Sequence, residues 1–243
     1  MTRRLARRHG LRWYNCDAQT WQHLDRAVAG GVRNAQRFAA LTPEQRRLAR
    51  PEEIEYDRGP LIVEDLCALP DFPIIVVDGP PPAATAAVAG QAVWLLPSPS
   101  VQRARLEQRH PDGVPPRYLR QWGPVTEPAA ASGPAILRVD NLSVAQIVAR
   151  VERVFARRLT DGPVATTVAQ RRELLRYTNQ SIVSQCLGWL AHQPKAGIRP
   201  AAQLFDCECA RPDCTALVEL PVETARSATA TEPPAVLAAG HHL

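Results

Sequence analysis

Thr2-Arg-Arg-Leu-Ala-Arg-Arg-His-Gly10, followed directly by Leu11-Arg-Trp-Tyr-Asn-Cys16 and Asp17, is the stretch on which the reading of the fold turns. Its first part reads as a helix with an arginine-rich exposed face. Its second part, apolar on both faces, reads as a buried strand of the kind found in parallel sheets. Further along, residues 73–77, 91–96 and 135–139 are short runs of the same character. Helical patterns fall between them. Residues 17–29 open on an acidic cap position and carry Trp21, Leu24 and Val28 at helical spacing. Residues 60–69 are short and apolar, and residues 98–109 open on a Ser/Pro start signal. Residues 143–159 repeat Val144, Ile147, Val148, Val151, Val154 and Phe155. The alternation predicts a three-layer α/β domain with one parallel sheet over residues 1–160.

A boundary at Thr160-Asp-Gly-Pro163 closes that domain. Residues 161–222 form a second module. It consists of a long helix over 168–192, with Leu174, Leu175, Ile182, Val183, Cys186, Leu187 and Leu190 on its apolar face, and a cysteine-bearing hairpin over 205–222. Residues 223–243 read as a flexible tail, with 224–235 disordered and Gly240-His-His-Leu243 at its end.

With 243 residues, 45% hydrophobic and 22% charged, the chain can bury one full core and a small second module. Prolines gather around 111–134 and after Thr224, marking loops and linkers. The net charge of +5 comes from 28 arginines against a single lysine, Lys195. That bias fits a GC-rich genome better than a nucleic-acid function. No run approaches the roughly 20 apolar residues that span a bilayer. The basic N-terminus lacks an apolar signal region, so a cytoplasmic location is expected. In a reducing compartment Cys16, Cys67 and Cys186 read as core residues, while Cys207, Cys209 and Cys214 cluster and suggest a metal.

Taken as a set, Leu5-Ala-Arg-Arg-His-Gly-Leu-Arg-Trp-Tyr-Asn-Cys-Asp17, Leu41-Thr-Pro-Glu44, Gly59-Pro-Leu-Ile-Val-Glu-Asp-Leu-Cys-Ala-Leu-Pro70, Ile75-Val-Val-Asp-Gly79 and Ala92-Val-Trp-Leu-Leu-Pro-Ser-Pro99 carry a resemblance. They resemble actinobacterial P-loop kinase-like proteins, related in architecture to shikimate, gluconate and nucleoside kinases. The resemblance implies ATP with Mg²⁺ and a small-molecule phosphoryl acceptor. In such proteins a strand and a G-x-x-x-x-G-K-[ST] loop immediately precede a segment like Leu5 to Gly10. That loop holds phosphates through backbone N–H groups and a lysine. The 243 residues contain no such motif. The strand carrying it would lie at the centre of the sheet, between the strands at 73–77 and 91–96. Its loss would leave two apolar edges with unpaired backbone groups. A start codon assigned too far downstream, a relic, and a pseudoenzyme in which the two flanking strands pair directly are the readings that remain. The chain as written is expected to be inactive.

The same resemblance implies site residues. Asp17 follows a buried strand where such kinases contact Mg²⁺ or orient the substrate hydroxyl; the plain alternative is a helix cap. Asp78, ending Ile74-Ile-Val-Val-Asp78, takes the Walker B position, or else simply opens an Asp-Gly turn. Arg103 and Arg109, with Arg105, lie where lid arginines neutralise phosphoryl charge, or else form a solvated helix face. Residues 110–132, with Arg117 and Arg120, resemble a shrunken lid, and Pro80-Pro-Pro82 departs from a helix-starting substrate loop.

Phe205-Asp-Cys207-Glu-Cys209-Ala-Arg-Pro-Asp-Cys214 resembles a cysteine motif found at the ends of actinobacterial proteins, usually with glycine where Ala210 stands. Three thiolates on a hairpin can fill three corners of a Zn²⁺ tetrahedron. Gly240-His241-His242 resembles the Gly-His pair that often trails this motif, so the resemblance makes His241 the candidate fourth ligand, with His242 and Cys186 behind it. Reduced bystander cysteines or one disulfide are the alternatives. Asp206, Glu208, Asp213 and Glu219 make the module locally acidic, which disfavours nucleic acid. Two functions are therefore expected to compete. One is a small-molecule phosphotransferase, provided the phosphate loop is supplied; the other is a non-catalytic protein-interaction protein with a structural zinc module. A DNA-binding regulator, resting only on basic charge, is the weakest reading.

Overall fold

The computed structural model describes residues 1–79, 91–111, 113–114, 135–192, 202–230 and 236–242. They mix helices with short strands in two compact units. One unit comprises residues 1–26, 64–80 and 158–243, and the other residues 27–63 and 81–157. The Pro80 to Pro82 run, Arg117, Arg120 and Lys195 lie outside the described residues.

In the first unit, β1 (Arg12–Asn15) pairs in parallel with β2 (Ile75–Asp78), in register from Arg12 opposite Ile75 to Asn15 opposite Asp78. The preceding helix α1 (Thr2–His9) buries Leu5 and Ala6. Ala6 joins Leu11 and Trp13 in a core lined by Ile74, Val76, Leu159, Val164 and Ile182. The turn from α1 into β1 depends on Gly10, which holds a left-handed φ of 66°. Its carbonyl accepts from the Ala165 amide at 2.8 Å, and a Cβ there would stand 2.3 Å from the Ala165 carbonyl oxygen. Both the backbone conformation and the contact exclude a side chain. Gly10→Ala is expected to cost about 2–3 kcal/mol, read as a lower midpoint in denaturant unfolding. An unchanged midpoint would mean that this turn tolerates the strain.

The long helix α2 (Val168–Ala191) starts at a capping box, with Thr167 and Gln170 satisfying each other's end of the turn. It packs against β1 and against the antiparallel hairpin of β3 (Gln203–Asp206) and β4 (Leu217–Leu220). A second core gathers Val183, Phe205, Val222, Ala225 and Val236.

In the second unit, β5 (Val93–Leu96) pairs in parallel with β6 (Ala135–Arg138). Ser98 caps the helix α3 (Pro99–Arg109) that follows β5. A Ser143/Gln146 capping box opens α4 (Val144–Val154). Short helices over Arg33–Ala40, Pro43–Leu48 and Pro51–Ile54 complete it. Among the described residues no helix is long and apolar enough to cross a membrane.

Several expectations change. The anticipated single parallel sheet is present as two two-stranded parallel sheets, because among the described residues neither β2 nor β5 has a second partner strand. The helix expected over 143–159 ends at Val154 with Phe155 as its C-cap, and a separate helix covers Ala156–Asp161. Residues 223–229, expected in the flexible tail, instead complete α5 (Val222–Thr229), since Val222, Ala225 and Thr229 bury one face at helical spacing. Cys67 is exposed rather than in a core, while Cys16 is fully buried. The helix after β1 starts at Thr20, so Asp17 lies in the turn before it.

Candidate metal centre

Hairpin β3–β4 brings the three clustered cysteines together, and the segment after α5 returns a histidine to them. One ligand atom from each of Cys207, Cys209, Cys214 and His241 lies within 4.8 Å of all the others. Such a set can hold a metal ion. The His241 Nδ1 is 3.3 Å from the Cys207 Sγ and 3.6 Å from the Cys214 Sγ. A tetrahedral zinc with ordinary bond lengths needs a sulfur-to-nitrogen edge of about 3.6 Å, so two edges stand near that length before any ion draws the groups together. Cys207 and Cys209 are buried, while Cys214 and His241 are half-buried at the edge of the cluster.

Backbone contacts shape the loop. The Ala238 amide donates to the Cys207 Sγ at 3.4 Å, and the Glu208 amide donates to the Val236 carbonyl at 2.8 Å, docking the His241 segment. Burial alone would raise the Cys209 thiol, yet hydrogen bonds from the Arg211 amide, His241 and the neighbouring cysteines outweigh it and bring it down to about 7. A thiolate is the form a metal binds. Ala210 stands in the left-handed region at φ 62°. That conformation explains why glycine suits this position, and for alanine it costs on the order of 1 kcal/mol.

Two helices support the loop through residues that the sequence reading did not single out. From α2, the fully buried Asn179 donates to the Asp206 carbonyl at 2.9 Å and to the Glu208 carboxylate at 2.7 Å, and accepts from the Asp206 amide at 2.8 Å. From α1, Arg7 donates to the Cys207 carbonyl at 2.7 Å, the Arg211 carbonyl at 3.0 Å and the Cys209 Sγ at 3.4 Å. A polar Asn amid the apolar face of the long helix was a legible signal; Arg7, one of 28 arginines, was not.

The other sequence candidates form no such cluster. Asp17 and Asp78 stand at the carboxyl end of the same parallel pair, where the Cys16 amide donates to the Asp78 carbonyl at 2.9 Å. Asp17 is exposed and Asp78 half-buried. Arg103 and Arg109 lie exposed on α3, in the other unit. His242 is exposed, and Cys186 packs against the second core.

A second polar cluster went unforeseen. Asp65 accepts from the Tyr14 hydroxyl at 2.6 Å and pairs with the His23 Nε2 at 2.8 Å and with Arg26, which also reaches Glu64. His23 is fully buried and Tyr14 nearly so. The chain matches no protein-family model, no curated protein and no solved structure.

Proposed function

We propose that Cys207, Cys209, Cys214 and His241 hold a structural Zn²⁺ in a P-loop-kinase-like protein that acts by binding a protein partner rather than by catalysis. The observation that carries this reading is the convergence of the four ligand atoms. Three thiolates and one imidazole fill zinc's usual coordination and leave no position for a reactive water, as in structural rather than catalytic sites. Leu204 and Leu217 are 50% and 43% exposed on the hairpin, apolar surface available to a partner. Metal analysis of the purified, reduced protein tests the zinc assignment. One Zn²⁺ per chain is expected, and a content near zero would sink it.

A phosphotransferase is the second reading, favoured by Asp17 and Asp78 sharing the carboxyl end of one parallel pair. Phosphoryl transfer needs a phosphate-binding loop, which the 243 residues do not contain. These residues alone are therefore expected to turn over no ATP. If in-frame upstream codons add a strand and a G-x-x-x-x-G-K-[ST] loop, ATP turnover should appear. Asp17→Asn in that longer chain should then lower it by at least about 100-fold. An unchanged rate would leave Asp17 as a turn residue.

A further inference from the structure

We infer that Arg7 is the positioning residue of the metal centre and that it couples metal occupancy to the order of the N-terminal helix α1. The inference rests on the zinc reading above and adds the connection between the site and α1, some 200 residues away in the sequence. Charge gives the first argument. Three thiolates and a neutral imidazole around Zn²⁺ leave a net charge of −1 beside the buried Cys207 and Cys209, where an unbalanced charge is costly. Arg7, half-buried, supplies the compensating cation and donates directly to the Cys209 sulfur.

Geometry gives the second argument. The guanidinium fork closes on the Cys207 carbonyl with one arm and the Arg211 carbonyl with the other, spanning the loop that presents two of the ligands. Between those two carbonyls sits Ala210 in its left-handed conformation, which persists only if the surroundings hold it. A lysine could supply the charge but not the two-armed grip.

Coupling to the helix follows from the other end of the same residue. The Arg7 carbonyl is one of the last-turn carbonyls of α1 that have no partner within the helix. Arg171 of the long helix donates to it at 2.9 Å. Arg7 is thus fixed at its backbone by α2 and at its side chain by the metal loop. An eight-residue helix is too short to persist by itself in water, so it depends on such anchors and on its packing against β1.

The test compares the wild-type chain with Arg7→Lys and Arg7→Met, using Co²⁺ and Zn²⁺ as the ligands. Arg7→Met should bind metal about 10- to 100-fold more weakly, the usual effect of removing a residue that orients a metal ligand, and Arg7→Lys should fall between it and wild type. The Co²⁺–thiolate charge-transfer band should move to longer wavelength in Arg7→Met, because loss of the N–H···S hydrogen bond makes the sulfur a better donor. A merely structural role would leave that band in place. If Arg7→Met does not fold, hydrogen exchange on the wild type decides. Amides of Leu5 to His9 should lose at least about 10-fold in protection when a chelator removes the metal. Unchanged affinity and band in Arg7→Met, or α1 protection indifferent to chelation, overturns the role of Arg7 while leaving the zinc site intact. A wild-type chain that takes up neither metal overturns both readings.

Discussion

Stripping the metal from the reduced protein with a chelator at pH 7 is expected to lower its thermal midpoint by about 10 °C. At free zinc 1,000-fold above the dissociation constant, binding only the folded state contributes about 4 kcal/mol. For a chain of this size each kcal/mol moves the midpoint by roughly 2–4 °C. The loss follows from the architecture. Residues 236–242 form no helix or strand, and what fixes them is Val236 in the second core, the Glu208 amide on the Val236 carbonyl, the Ala238 amide on the Cys207 sulfur, and His241 at the cysteine cluster. With the metal gone, three cysteines and a histidine keep only weak mutual contacts. Cys214→Ser should reproduce the effect of chelation and reduce bound metal from one equivalent to near zero. It sits at the edge of the cluster, partly exposed, so its substitution removes a ligand with little loss of packing. Hydrogen exchange should place the loosening in residues 207–216 and 236–242. A midpoint insensitive to chelation, with metal content unchanged in Cys214→Ser, would reduce the four residues to reduced bystanders.

The sequence disclosed local structure well where a single period dominates. The strand at Leu11 to Cys16, the long helix and the hairpin follow from apolar patterning alone, and the cysteine cluster announces itself by spacing. His241 became a ligand candidate from the terminal Gly-His pair, and the fold delivers it there. What patterning could not disclose is polar. Residues 223–229 read as a tail because Glu223, Thr224, Arg226 and Ser227 look solvated, yet Val222, Ala225 and Thr229 make a small buried face that only the partner helix reveals. In the helix after β1, Trp21, Leu24 and Val28 mark a plausible apolar face, whereas the residues most deeply buried are His23, Leu24 and Ala27. A histidine on a buried face is readable only once its acceptor is known. That acceptor, Asp65, lies more than forty residues away inside the apolar run Leu61 to Cys67. A carboxylate in such a run is the one signal that could have been used, since a charge drawn into an apolar environment must find partners.

Asp65→Ala should cost about 3 kcal/mol, because it removes the hydrogen-bond partner of the Tyr14 hydroxyl and of the His23 Nε2. Asp65→Asn keeps an acceptor oxygen and should cost less, which separates lost hydrogen bonding from lost packing. The pH dependence has a definite sign. Burial pushes the Asp65 carboxyl up, but hydrogen bonds from Tyr14, His23 and Arg26 outweigh it and hold the group below the ordinary carboxylate range. The unfolded chain therefore binds the extra proton first. The stabilisation is complete above about pH 4 and is lost as the pH falls through the folded-state value. Tyr14 works from the other side: burial, then the bond to Asp65 and its negative charge, drive the phenol far above its usual range. Above about pH 10 the unfolded tyrosine ionises while Tyr14 stays neutral, so stability falls again. Denaturant titrations of wild type, Asp65→Ala and Tyr14→Phe from pH 3 to 11 read both arms. The acid arm should flatten in Asp65→Ala and the alkaline arm in Tyr14→Phe. Parallel curves for all three chains would mean that neither ionisation is linked to folding.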